Sequence, residues 1–166
     1  QNNAVSWFDD SINGKEQFTG KMEFSHQDIA AIQYTGGTTG EPKGAILTFE
    51  NLLVNILQTS EILKPEKGAE TVISIFPFSH SAGLLGILSS LYIGGNWILI
   101  PNPRDLKFLI TQIKQHQPSL LFAVPLIFEK LLMEKTFRQL DFTRLKYCLS
   151  GASNLSLRVL PSPALV

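Results

Sequence analysis

The stretch YTGGTTGEPKG, residues 34–44, decides how the rest of this sequence is read. Gly36, Gly37, Gly40 and Gly44 are interleaved with the hydroxyls of Thr35, Thr38 and Thr39, and one cation, Lys43, follows Pro42. Glycine lets a backbone turn through positive φ and brings its N–H groups close to phosphate oxygens. Threonine hydroxyls donate to the same oxygens, and a lysine adds a point charge. The composition suits a polyanion, although an ordinary surface turn draws on the same residue types. A Walker loop, GxxxxGK[ST], is excluded by spacing. Its second glycine would have to stand at Glu41 or Pro42, and Lys43 is followed by Gly44 instead of a hydroxyl. The flanks also differ: Ile29 to Tyr34 reads as a strand leading in and Lys43 to Phe49 as a strand leading out, where a Walker loop opens directly into a helix. The expected element is a phosphate-holding loop between two strands.

Working outward, Thr48 can cap a helix that carries Leu52, Leu53, Ile56, Leu57 and Leu63 on one face and stops at Lys64 and Pro65. Val72 to Phe76 is a nearly continuous apolar run, the pattern of a strand covered on both faces, and Pro77 ends it. A helix is expected from Ser81 to Ile93, then a strand from Trp97 to Ile100. Asp105 caps an amphipathic helix bearing Leu106, Leu109, Ile110 and Ile113. Leu120 to Val124 repeats the buried-strand pattern, Pro125 opens a helix with Phe128, Leu131 and Leu132, and Leu145 to Leu149 makes the last strand. This alternation predicts an α/β fold, a layered and largely parallel sheet flanked by helices, with ligands gathering at the carboxyl ends of the strands. The glycine-rich loop, His80 and Gly151 each fall just past such an end, so three distant segments are expected to converge. His80, between Ser79 and Ser81, has a plain structural reading beside the functional one.

Composition narrows the classes. The chain has 166 residues, the size of one domain, and 44% of them are hydrophobic, enough for a true core. Lys plus Arg and Asp plus Glu number 14 each, so no basic field speaks for nucleic acid. Cys148 is the sole cysteine, which removes a disulfide framework and a cysteine-based metal site and fits a reducing cytoplasm. No pair of histidines or carboxylates has metal-ligand spacing, so a metal is expected to arrive with nucleotide. The first residues lack the apolar core of a signal peptide. Residues 71–103 contain no Asp, Glu, Lys or Arg, but Pro77, Gly83, Gly86, Gly94 and Gly95 interrupt them before a bilayer-spanning helix could form.

The glycine-rich stretch resembles the nucleotide-binding signature of the adenylate-forming superfamily of acyl-CoA synthetases, luciferases and peptide-synthetase adenylation domains, YT(S/G)GTTGxPKG. Phe76-Pro77-Phe78-Ser79-His80 is similar to a second motif of that family, and Leu149-Ser150-Gly151-Ala152 to the strand end before its adenine site. LIPNPRD (residues 99–105) and QLDFTRL (residues 139–145) resemble bacterial long-chain fatty-acyl-CoA synthetases. The resemblance implies part of the large N-terminal domain of such an enzyme, with residues 1–27 as a lead-in and residues 28–166 as an incomplete AMP-binding domain. It implies ATP, Mg²⁺ and CoA as cofactors or substrates, and a long-chain fatty acid as the group activated. Other adenylate-forming enzymes, for aryl, short-chain or amino acids, and a non-catalytic nucleotide-binding module are the alternatives.

The resemblance also implies roles. Thr35, Gly36, Gly37, Thr38, Thr39, Gly40 and Lys43 would bind the nucleotide, Thr38, Thr39, Gly40 and Lys43 at the β- and γ-phosphates and Thr35 at Mg²⁺. Lys43 and His80 would be catalytic, His80 bordering the acyl carboxylate and the α-phosphate. Gly151 would lie against adenine or the acyl chain, and Leu84, one turn past His80, would line the acyl tunnel, its other reading being ordinary core. The family's YGxTE and TGD segments, hinge and small lysine-bearing C-terminal domain are not in these residues, so the chain is expected to be inactive alone. The last strand is expected at an edge open to self-association. A cytoplasmic location, with peripheral contact to the inner membrane, goes with such a substrate.

Overall fold

The structure is a computed structural model that describes Glu23, residues 25–34 and residues 41–154. Most of the lead-in, the loop residues Thr35, Gly36, Gly37, Thr38, Thr39 and Gly40, and residues 155–166 lie outside the described residues. The described chain begins with a hairpin of β1 (Ile29–Tyr34) and β2 (Gly44–Thr48), in which Ile32 pairs with Ile46 and Tyr34 with Gly44. Then come α1 (Phe49–Leu63), β3 (Thr71–Ser74), α2 (Ser81–Ile93), β4 (Asn96–Leu99), α3 (Leu106–His116), β5 (Leu120–Ala123), α4 (Pro125–Met133), the short α5 (Lys135–Arg138) and β6 (Tyr147–Ser150).

Strands β3 to β6 form one sheet in the order β4-β3-β5-β6, parallel throughout, as the alternation with helices demands. The glycine-rich hairpin stands apart from it as a two-stranded antiparallel sheet, because a short connection can return a strand only antiparallel.

Local chemistry explains most boundaries. Thr48 forms a full capping box with Asn51, and the Asp105 carboxylate accepts from the Phe108 N–H at 3.0 Å. Pro125 opens α4 at the position where a missing N–H costs nothing. Helix α2 ends at Gly94 in the left-handed region (φ 69°), where its N–H reaches back to Leu91 and Ser90. Strand β3 stops at Ser74, short of the expected Phe76. Ile75 still donates to the Phe122 carbonyl at 3.1 Å, but the Ser74 hydroxyl accepts from the Phe76 N–H at 3.2 Å and draws the chain out of the ladder. The last strand starts later than expected because Leu145 is held in a turn, its N–H on the Phe142 carbonyl at 2.9 Å.

The parallel sheet has two unlike faces. On one, Ile73, Leu121 and Ala123 are wholly buried in a cluster with Leu109 and Ile113 of α3 and Phe128 and Leu131 of α4. On the other, register aligns Trp97, Val72, Leu120 and Tyr147 in one row, with Phe122 and Leu149 in the next. This second face looks toward α1 and α2, and the space between is not filled.

The amino ends of the strands are tied by polar groups. Buried Ser119 accepts the Thr71 N–H at 3.0 Å and donates to the Thr71 carbonyl at 3.2 Å, while Lys146 bridges Glu70 (2.9 Å) and Glu66 (3.2 Å). Burial works to raise the Glu70 carboxyl, but bonds from Ser119, Lys146 and the Glu66 N–H outweigh it and hold the group below its ordinary value. No helix among the described residues is long and apolar enough to cross a membrane.

Candidate active site at the strand ends

Chemistry gathers at the opposite, carboxyl ends. After β3 the chain turns through Pro77, Phe78 and Ser79, closed by the His80 N–H on the Pro77 carbonyl at 2.9 Å. His80 is the N-cap of α2, with extended backbone, and its Nδ1 accepts the Ala82 N–H at 3.1 Å. A nitrogen that accepts carries no hydrogen, so the neutral ring bears its proton on Nε2 and offers an N–H from an exposed position. The structural and functional readings of this histidine are thus compatible, one per ring nitrogen. The helix seats tightly behind it: a Cβ on Gly83 would stand 2.1 Å from the Pro77 carbonyl oxygen, so only glycine fits.

Gln33, which the sequence did not single out, joins the hairpin to this turn. Its side-chain amide donates to the Ser79 carbonyl at 2.6 Å, bringing the end of β1 that leads into the glycine-rich loop beside the residue preceding His80. Lys43 stands immediately before β2, where the chain returns from the same loop. The third segment arrives through Phe122. Its ring packs on Phe76 at 4.4 Å between centroids, Phe76 lies 5.5 Å from the His80 ring, and a Cβ on Gly151 would meet Phe122 Cε2 at 3.5 Å. Gly151 follows β6, its N–H on the Ala123 carbonyl at 3.3 Å, and Ala152 then turns with φ at 67°. The ends of β1, β3 and β6 are therefore linked by one hydrogen bond and a row of rings.

Beneath this site lies a cavity of about 280 Å³ between the second sheet face and helices α1 and α2. Val72, Leu120, Phe122, Tyr147 and Leu149 form its floor. The α2 wall consists of Ala82, Leu85, Gly86, Ser89, Ser90 and Ile93, a single stripe at helical spacing, and four of its six members are Ala, Gly or Ser. Side chains this small cannot reach the sheet, which is why the space stays open. Leu84, expected at an acyl tunnel, is not among the lining residues, because its position on the helix falls beside the stripe rather than on it. Among the described residues no group of three or more His, Cys, Asp or Glu side chains gathers for a metal, and the fit of Thr35 to Mg²⁺ falls outside them. Cys148 reaches solvent at β6, yet desolvation of its sulfur pushes the thiol up to about 11 and keeps it protonated at neutral pH.

A family model described as AMP-binding enzyme matches residues 3–161. The chain belongs to this adenylate-forming family. It is 36% identical to a long-chain-fatty-acid–CoA ligase of Escherichia coli O6:H1 over 151 residues, which is 89% of this chain and 27% of that protein. It is 39% identical to the enzyme of the same name from Bacillus subtilis over 141 residues, 84% of the chain and 25% of the relative. Among solved structures, ATP-bound MatB from Rhodopseudomonas palustris superposes with a TM-score of 0.73 at 26% identity, covering 83% of this chain and 27% of that one. The chain thus spans about a quarter of the length of the curated relatives it matches. Family membership accounts for the parallel sheet with its separate hairpin.

Proposed function

We propose that this chain is part of an enzyme that activates long-chain fatty acids in two steps. A carboxylate oxygen attacks the α-phosphorus of ATP, the bond to the bridging oxygen breaks, and pyrophosphate leaves with that electron pair. The sulfur of CoA, its thiol proton given up to solvent, then attacks the acyl carbon, the bond from that carbon to the oxygen shared with phosphorus breaks, and AMP leaves with that oxygen and the electron pair. A carboxylate is a poor electrophile, so the protein's work is to bring two anions together and spread the charge that develops. In this reading Thr38, Thr39, Gly40 and Lys43 hold the β- and γ-phosphates, with Thr35, Gly36 and Gly37 beside them at the nucleotide. The Nε2–H of His80 faces the carboxylate, and the bare backbone of Gly151 leaves room for a flat base. Mg²⁺, bound with the nucleotide, would neutralise phosphate charge.

The observation that carries the fatty-acid reading is the apolar cavity that begins at Ala82, next to the cap made by His80, and continues to Ile93. An anion site opening onto an apolar slot suits a molecule that is carboxylate at one end and alkyl at the other. The names of the bacterial relatives support the same class. Fatty-acid-dependent pyrophosphate release by the full-length protein carrying this chain tests it. Turnover with long saturated acids well above aryl, short-chain and amino acids is expected, and the reverse order would sink the assignment. A binding module is separated by calorimetry: an adenylating site favours an acyl-adenylate analogue over ATP, and a nucleotide carrier does not. Peripheral contact with the inner membrane from the cytoplasm accords with a substrate that partitions into bilayers.

A further inference from the structure

Trp97 and Gly86 face each other across the side of the cavity. Trp97 comes from β4, the edge strand, in register with Val72 on the cavity floor, and Gly86 lies in the middle of the α2 stripe. A Cβ built on Gly86 would stand 2.4 Å from Trp97 Cη2 and 2.9 Å from Cζ3. The indole therefore occupies the place where any larger residue would put its side chain. Its ring also lies 6.3 Å from that of Phe78, in the turn that leads to His80. The open edge of the sheet is closed at this point by one aromatic plate resting on bare helix backbone. From Ala82 to Ile93 the α2 wall runs ~16 Å, so a cavity of about 280 Å³ spread along it is a narrow slot.

We propose that Trp97, seated on Gly86, determines specificity by setting the width of this slot, so that it admits one unbranched alkyl chain and refuses branched or ring-bearing acids. This rests on the fatty-acid reading given above. Removing the indole opens the slot sideways at β4. Adding a methyl at Gly86 cannot be absorbed without displacing the plate, and the slot then changes shape with no alteration at the phosphate loop or His80. Neither residue is placed against the reacting atoms, and the expected effect is confined to the choice of acyl chain.

Two measurements test this. In the full-length protein, Trp97→Ala should raise kcat/KM for methyl-branched and phenyl-terminated acids relative to palmitate by about tenfold or more, with KM for ATP unchanged. Trp97→Phe should keep most of the discrimination, and Gly86→Ala should alter the ratio through displacement of the ring. A wild-type enzyme that activates fatty acids, together with a Trp97→Ala ratio within twofold of it, overturns the inference and leaves the fatty-acid reading standing. A wild-type enzyme that activates no fatty acid overturns both. Should Trp97→Ala lose its fold, indole fluorescence decides. In the full-length protein with Trp7 and any tryptophan outside these residues replaced by Phe, Trp97 is the sole indole emitter. Stearate brominated in mid-chain should quench its emission more than stearate brominated beside the carboxyl, while equal quenching by the two, or none, rejects contact between the chain and this ring.

Discussion

At the scale of single residues, the strand-end site depends on groups whose importance lies in what they touch. Gly83→Ala would drive a methyl to 2.1 Å from the Pro77 carbonyl, and backbone cannot swing away as a flexible side chain can. The start of α2 would have to lift, taking His80 with it. We expect a loss of about 1–3 kcal/mol by urea unfolding, accompanied by slower adenylation, and wild-type values of both would remove Gly83 from this role. Lys43→Ala is expected to act differently. If its charge serves the departing pyrophosphate, the full-length enzyme should slow at least about tenfold in adenylation while forming thioester from supplied acyl-adenylate at nearly the normal rate. Equal losses in both half-reactions would refute the pyrophosphate role. Of these two residues only Lys43 stands out in the sequence, because the role expected of it rests on a local pattern. Gly83, Gln33 and Trp97 depend on partners that the chain brings close only after folding.

At the scale of elements, the sequence was most readable where the decisive interaction is local. Thr48, Asp105 and Pro125 announced their helices because capping needs only the next few residues. The ends of β3 and β6 were misplaced by a residue or two because a serine side chain and a turn, not hydrophobicity, decide where those strands stop or start. The polar knot at the amino ends was invisible for the same reason that makes it stabilising: it joins β3, β5 and β6 from distant parts of the chain. Ser119→Ala withdraws the acceptor of the buried Thr71 N–H and should cost about 1–3 kcal/mol, measured by denaturant midpoint. The pH dependence follows from the signs. Glu70 is held below its ordinary value, so its contribution is present above the unfolded carboxyl value of about 4.3 and is lost as pH falls through the folded one. Lys146 is raised by its bonds to Glu70 and Glu66, so its contribution is present below the ordinary lysine value and fades as pH rises through the folded one. Stability should therefore hold level between those limits, and Glu70→Gln should lessen the fall on the acid side. An unaltered acid limb in that variant would show that other carboxylates dominate.

At the scale of the whole molecule, the fold brings the end of a glycine-rich hairpin, a helix-capping histidine and an apolar slot to one side of a parallel sheet, yet the chain spans only about a quarter of its curated relatives. Within the described residues β6 is paired on one side only, and the exposed apolar side chains of the hairpin, Ile32, Tyr34 and Ile46, have more than half of their surface in solvent. A strand edge and an apolar face of this kind invite association with another chain. The adenylation step also asks for more than positioning from one side: a nucleotide held from one side only stays open to water, and the developing charge is then screened by solvent rather than by fixed dipoles. We therefore expect the purified chain to give no fatty-acid-dependent pyrophosphate release above background and to scatter light as dimers or larger species. The two expectations have separate physical causes and are read by separate instruments. Substantial turnover by these residues alone would mean that the hairpin, His80 and the slot suffice for chemistry. A clean monomer without turnover would mean that the apolar hairpin face and the β6 edge are covered by residues of this same chain.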